Sequence, residues 1–256
     1  KKYPILRMSR EERRLDIHSC RVLCAMGIPM GLQYSITAIG SIILQSSVNA
    51  LGSLYVAAVA AGAKLFQLLA CPFDAMGATM ATYCGQNVGA CKLDRLGRGI
   101  RSCTALGLGW SLLVLCAMLA FAPQCAMLFL DPSEEQLALL VELTARYTVI
   151  QVSFYFPLAL VNIVRFSIQG MGFSTFAILA GVLEMFARTG VATLLVPIFG
   201  YTAACLASPA AWLAADLFLL PASIFCISRL RKLYPSVPDN ERTADPAPAL
   251  LSDPAR

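Results

Sequence analysis

Charge is scarce in this chain. Of its 256 residues only 14% are Asp, Glu, Lys or Arg, while 58% are hydrophobic and the mean hydropathy is +0.69. An ordinary soluble domain carries about 25% charged and about 45–50% apolar residues. A solvated globular fold is therefore excluded and a membrane protein indicated. Histidine is nearly absent: His18 is the only one, and it lies in a polar stretch. The ten cysteines contain no CxxC pair, which leaves no zinc or dithiol redox motif. Most of them sit in apolar runs, where Cys acts as a small hydrophobe. A membrane-embedded enzyme would need paired carboxylates, a His/metal cluster or an activated serine, and no such constellation is visible. The formal charge is +5, but seven of the 20 basic residues fall within the first 21 positions. That is a membrane-flanking segment, not the basic solvated face that nucleic acid requires.

Long apolar runs are present instead. A helix needs about 20 mostly apolar residues to cross the hydrocarbon core. Six stretches qualify: 22–48, 54–83, 102–130, 147–168, 175–199 and 202–227. The second and third are long enough to tilt or to extend past the core. Open sheet would leave its edges unsatisfied in lipid, and the runs are too long for barrel strands. The expected fold is an all-α integral membrane bundle of six transmembrane helices.

Basic residues gather on alternate connections. Lys92, Arg95, Arg98 and Arg101 follow the second run, Arg165 lies near the end of the fourth, and Arg229, Arg231 and Lys232 follow the sixth. The connection at 49–53 has no charge, and that after the third run holds Asp131, Glu134 and Glu135. The positive-inside rule then places both termini in the cytoplasm, which requires an even number of crossings. Within "DPSEE" (131–135), Asp131 is a good N-cap, Pro132 suits the first helical position and Glu134 completes a capping box. An amphipathic lead-in over 133–146 is expected before the fourth crossing. Residues 235–256 hold five prolines and are expected to be disordered. No cleavable signal peptide is expected.

A charged side chain at a helix centre costs about 2.5–3.5 kcal/mol on insertion scales, so intramembrane charge points to function by default. The candidates are Lys64 and Asp74 in the second run, Glu184 and Arg188 in the fifth, and Asp216 in the sixth. Glu184 lies about 13 Å down its helix, near mid-membrane. Arg188 is one turn further on the same face, in the better orientation for an intrahelical pair. The two form either a mutually neutralising packing pair or a protonatable or cation-binding carboxylate tuned by the arginine. Asp74 follows Pro72, whose missing N–H leaves a carbonyl free to help bind an ion or substrate. Lys64 and Asp74 share a face but are too far apart to touch. Asp216 is expected in the cytoplasmic half of its helix, within reach of water. The first run carries Gln33, Tyr34, Gln45 and Asn49, together with Gly27-Ile28-Pro29-Met30-Gly31, a segment able to bend and to pack closely. Its polar groups either line an internal cavity or bond across to neighbouring helices.

Four ordered segments carry a resemblance. They are "GIPMGLQYSITAIGSIILQSSVNALG" (27–52), "VAAVAAGAKLFQL" (56–68), "ATYCGQNVGACKLDRLGRG" (81–99) and "SIQGMGFSTFAILAGVLEMFAR" (167–188). Over about residues 20–232 the chain resembles the multidrug and toxic compound extrusion (MATE) transporters. The resemblance implies the C-terminal six-helix lobe of a twelve-helix antiporter, moving cationic or amphipathic small molecules in exchange for H+ or Na+. It implies a cytoplasmic linker at 1–21, the lobe at 22–232 and a cytoplasmic tail at 233–256. The implied partners are membrane lipid, a small organic substrate, and a missing N-terminal lobe or second half-transporter, in a bacterial plasma membrane. No metal or cofactor is implied beyond the coupling ion. Gln33, Tyr34, Gln45 and Asn49 would line the cleft, with Glu184, Asp74 and Arg188 sensing ion or charge. Some members carry an acid in the helices matching 22–48 and 147–168. This chain has Gln33 in the first and no acid in the second. A lipid-linked or oligosaccharide flippase of the same superfamily, which would need a more basic cleft, and a non-transporting membrane partner are the alternatives.

Overall fold

The computed structural model describes residues 16–131 and 136–234. The helix start expected over 132–135, the first 15 residues and the tail at 235–256 lie outside them. Eight α-helices and one π-helical segment follow in order, with no strand among the described residues. They are α1 (Ile17–Asn49), α2 (Ser53–Gly89), α3 (Asp94–Met127), α4 (Leu137–Ser153), α5 (Tyr155–Gly170), α6 (Ser174–Gly190), the π-helix Val191–Leu195, α7 (Val196–Phe199) and α8 (Tyr201–Leu233). The spans Ile17–Asn49, Ser53–Gly89, Asp94–Met127, Ser174–Phe199 and Tyr201–Leu233 are long and apolar enough to cross a membrane. The pair α4 and α5 makes a sixth if its bent halves count as one. The chain is therefore a multi-pass membrane bundle of the expected class.

Two crossings differ from simple rods, each beside a proline. The fourth is longer than 147–168 and bends by 49° at Phe154. Pro157 has no N–H to give the carbonyl of Ser153, and its ring disfavours helix in the residue before it. The fifth loosens into the π-helix Val191–Leu195 just ahead of Pro197, which likewise withholds a donor from Thr193. Thr193 Oγ1 also bonds back to the Thr189 carbonyl at 2.8 Å, a habit that bends helices.

A side chain caps the start of α1, and local hydrogen bonds order the connection from α2 to α3. Asp16 accepts from the backbone N–H groups of His18 and Ser19 at the start of α1. The Ser19 hydroxyl, followed by those two amides, holds the Asp16 carboxyl below its usual range. The "GQNVGA" segment forms the last turns of α2. There Asn87 Nδ2 bonds the Tyr83 carbonyl at 2.8 Å, and the Asn87 carbonyl receives Lys92 N–H at 2.8 Å. Arg231 at the end of α8 meets Asp94 at the start of α3 at 3.8 Å. The basic ends of these two helices thus lie on one side of the bundle.

Packing centres on α2, α5 and α8. Phe66 stacks on Trp212 with ring centroids 5.7 Å apart, and Tyr155 meets Phe66 and Phe73 edge-on. The Tyr155 hydroxyl bonds the Phe66 carbonyl, and Trp110 Nε1 bonds the carbonyl of Leu69, three residues before Pro72. The Leu69 carbonyl is thus taken up in packing, whereas the carbonyl that Pro72 leaves without a helical donor is that of Leu68. Between helices in lipid the attraction is close contact and hydrogen bonding, and small residues supply it. A Cβ on Gly170 would lie 2.2 Å from the Ala81 carbonyl oxygen, so α5 touches the backbone of α2. Gly27 and Gly31 have nothing within 4 Å of where a Cβ would stand. The close packing expected at that segment of α1 is not made within this bundle.

Candidate functional site

A buried polar layer joins α1, α5, α6 and α8. Glu184 on α6 is 3% exposed and forms an ion pair with Arg165 of α5, itself 6% exposed. The intrahelical pair expected between Glu184 and Arg188 is thus replaced by a pair between helices. Arg188 turns instead toward α1, donating to the Thr37 carbonyl at 3.3 Å and to Ser41 Oγ at 3.5 Å. A helix carbonyl keeps a second lone pair, so Arg188 can bond the Thr37 carbonyl although that carbonyl already belongs to the ladder of α1. A Cβ on Gly40 would lie 3.3 Å from the Met185 Cα and one on Gly181 3.2 Å from Gln33 Cγ, so glycine brings α1 and α6 close at both points.

Gln33 is buried and accepts from Gln169 Nε2 of α5 at 2.6 Å. It does not share a surface with the other residues expected beside it: Tyr34, Gln45 and Asn49 are exposed on α1, with Gln45 Nε2 bonded to Asn49 Oδ1 at 2.9 Å. Asp216 is 7% exposed, not open to water as expected. It lies within electrostatic range of Arg165, and its Oδ1 has no hydrogen-bond partner among the described residues. The layer therefore holds two arginines and two acidic residues, of which Arg165 and Glu184 are directly paired. Arg165, expected to mark a cytoplasmic helix end, belongs to this interior. Its signal was present in the sequence as one charge within "LALVNIVRFSIQG" (158–170).

A second polar feature faces outward. On α2 the residues Lys64, Gln67, Cys71, Asp74, Thr82 and Gln86 are all exposed and recur at helical spacing along one face. From Lys64 to Gln86 this stripe runs about 33 Å at 1.5 Å per residue. That equals the full thickness of a hydrocarbon core, about 30 Å. Its lower half opens into a shallow depression of about 470 Å³ lined by Ala78, Thr79, Thr82, Tyr83 and Gln86. On α1, Tyr34, Ser41, Gln45 and Asn49 form a shorter exposed stripe. Lys64 and Asp74 share the α2 face, as their ten-residue spacing implies.

A family model described as MatE matches residues 29–202, which is well over half of the chain. The chain belongs to the MatE family. Three solved structures place this MatE chain among relatives by fold. A crystal structure of the Vibrio cholerae MATE transporter VcmN in the bent form superposes with a TM-score of 0.79 at 19% identity, over 89% of this chain and 51% of that one. A MATE in the straight conformation gives 0.72 at 18% identity, over 88% and 49%. A MOP superfamily transporter from Pyrococcus furiosus gives 0.66 at 17%, over 88% and 48%. The MatE chain spans about half the length of the structures it matches. No curated protein matches it.

Proposed function

We propose that this MatE chain is the C-terminal half of a secondary active antiporter that exports cationic or amphipathic small molecules in exchange for H+ or Na+. The observation that carries this reading is the exposed polar stripe on α2. A membrane-length row of polar side chains facing lipid is costly, whereas one lining an aqueous passage is needed for a solute to cross. The stripe on α1 extends the same logic, so that Tyr34, Gln45 and Asn49 join Asp74 along the route. Lys64 is the only basic group within the α2 stripe, which favours a cationic cargo over an anionic lipid-linked sugar. Basic groups at the starts of α1 and α3 and at the end of α8 favour cytoplasmic termini, in a bacterial plasma membrane. Without Arg165 the connection between the fourth and fifth crossings has no basic residue, so the signal rests on the two ends of the bundle and on 92–101.

The test is efflux from cells in which the chain is produced together with an N-terminal six-helix lobe. Asp74→Asn, at an exposed position, is expected to lower efflux of a cationic dye several-fold at unchanged protein level. Full efflux in that variant overturns the role of the α2 face. Glu184→Gln is the companion variant, since Glu184 and Arg188 remain candidates for sensing ion or charge. Retained efflux across pH would leave Glu184 a packing residue.

A further inference from the structure

A groove between the α4–α5 break, the π-helix and α8 has the form of a lipid site. It encloses about 590 Å³ and its lining includes Phe154, Val191, Leu195, Thr202, Leu206 and Leu213. Two irregularities build it: the break between α4 and α5 at Phe154, and the π-helix that moves Val191–Leu195 off the regular helical path. Leu195, Leu206 and Leu213 are exposed along it, and Thr202 is its one polar side chain.

The groove has a charged mouth. Tyr201 Oη bonds the Leu143 carbonyl at 2.9 Å, which sets the start of α8 beside α4. At that level the exposed Arg146 of α4 donates from Nη2 to Thr202 Oγ1 at 3.0 Å. A guanidinium is thereby held where the apolar groove meets the end of a spanning helix, and its remaining donors, without a partner among the described residues, can bind a phosphate bidentately. The first-turn N–H groups of α8 lie at the same end and favour negative charge. Glu142, one turn before Arg146, is exposed as well, but the bond that fixes Arg146 is to Thr202. From Thr202 to Leu213 the groove descends about 16 Å at 1.5 Å per residue, half of a core about 30 Å thick. That is the depth of one leaflet.

We propose that this groove holds one acyl chain of a glycerophospholipid whose phosphate is bound by Arg146. The ligand needs an anionic phosphate at the helix end and an apolar tail reaching the bilayer midplane. The test is native mass spectrometry of the full chain in detergent, titrated with phosphatidylglycerol or with dioleoylglycerol, which lacks the phosphate. Retention of phosphatidylglycerol but not of dioleoylglycerol is expected. Arg146→Gln should weaken retention about fivefold, the equivalent of about 1 kcal/mol for one basic residue at an anionic lipid surface. Ala210→Phe, which fills the groove wall, should abolish it, with Leu213→Phe as a second filling variant and thermal melting as the check on folding. Undiminished phosphatidylglycerol in folded filling variants, no effect of Arg146→Gln, or equal retention of dioleoylglycerol would mean adventitious annular lipid only and overturn the proposal.

Discussion

At the scale of single residues, Arg165 decides how the interior is held. It is the cation that Glu184 meets and the one Asp216 faces. Arg165→Ala leaves two buried carboxylates without their counter-charge. Breaking a buried pair by removing one partner costs about 3–5 kcal/mol, so a large drop in the thermal midpoint in detergent is expected. Arg165→Met combined with Glu184→Leu removes the directly paired charges and should recover the part of that loss owed to Glu184, since an apolar replacement of similar volume is close to neutral, while Asp216 stays without its counter-charge. Equal melting of Arg165→Ala and the parent chain would show that the pair carries no stability. The sequence displayed Glu184 and Arg188 as a pair because spacing of four reports only what shares a face of one helix. It is blind to partners 19 residues away, such as Arg165, whose position depends on how α5 meets α6. The exposed polar residues of α1 and α2 were legible as polar groups in apolar runs. Gln33 was assigned to the wrong surface because its neighbour on α5, Gln169, is a tertiary contact.

At the scale of elements, the helices are placed by where their backbones can touch. Gly170 of α5 and the Ala81 carbonyl of α2 are the tightest such approach, and a Cβ on Gly85 would lie 3.4 Å from the Gly170 carbonyl oxygen. A methyl at position 170 has backbone in its way, not the end of a flexible side chain, so α2 and α5 must separate to admit it. Gly170→Ala is expected to destabilise by about 1–3 kcal/mol, the usual range for overpacking, measured as a lowered melting midpoint. Gly27→Ala and Gly31→Ala should change nothing in the isolated chain or stabilise it slightly, as Ala does over Gly in an open helix. The six crossings were legible because length and hydropathy fix them almost alone. The 49° bend at Phe154 could have been read from Pro157, but a proline in a membrane helix is often carried without a break. Which outcome follows depends on neighbours, and those the sequence does not show.

At the scale of the whole molecule, the exposed stripe on α2 raises the question of what covers it. In lipid, Lys64 and Asp74 alone would cost several kcal/mol together, and Gln67 and Gln86 add unpaired polar groups. A second six-helix lobe opposite this face would replace lipid by an aqueous cleft. Cys71 offers a direct measurement, because it is the central residue of α2, exposed, and lies within the stripe. A thiol reacts as thiolate, which forms only where water reaches it. Cys116 is also exposed, but it sits on α3 among the exposed Leu112, Leu113 and Leu119, a face suited to lipid. In membranes containing the complete transporter, a charged, membrane-impermeant thiol reagent should therefore modify Cys71 at least tenfold faster than Cys116, resolved peptide by peptide by mass spectrometry. A transported cation added first should slow the reaction at Cys71 and leave the cysteines outside the stripe unaffected. If Cys71 and Cys116 react at the same slow rate, the stripe is dry and no solute path runs along α2.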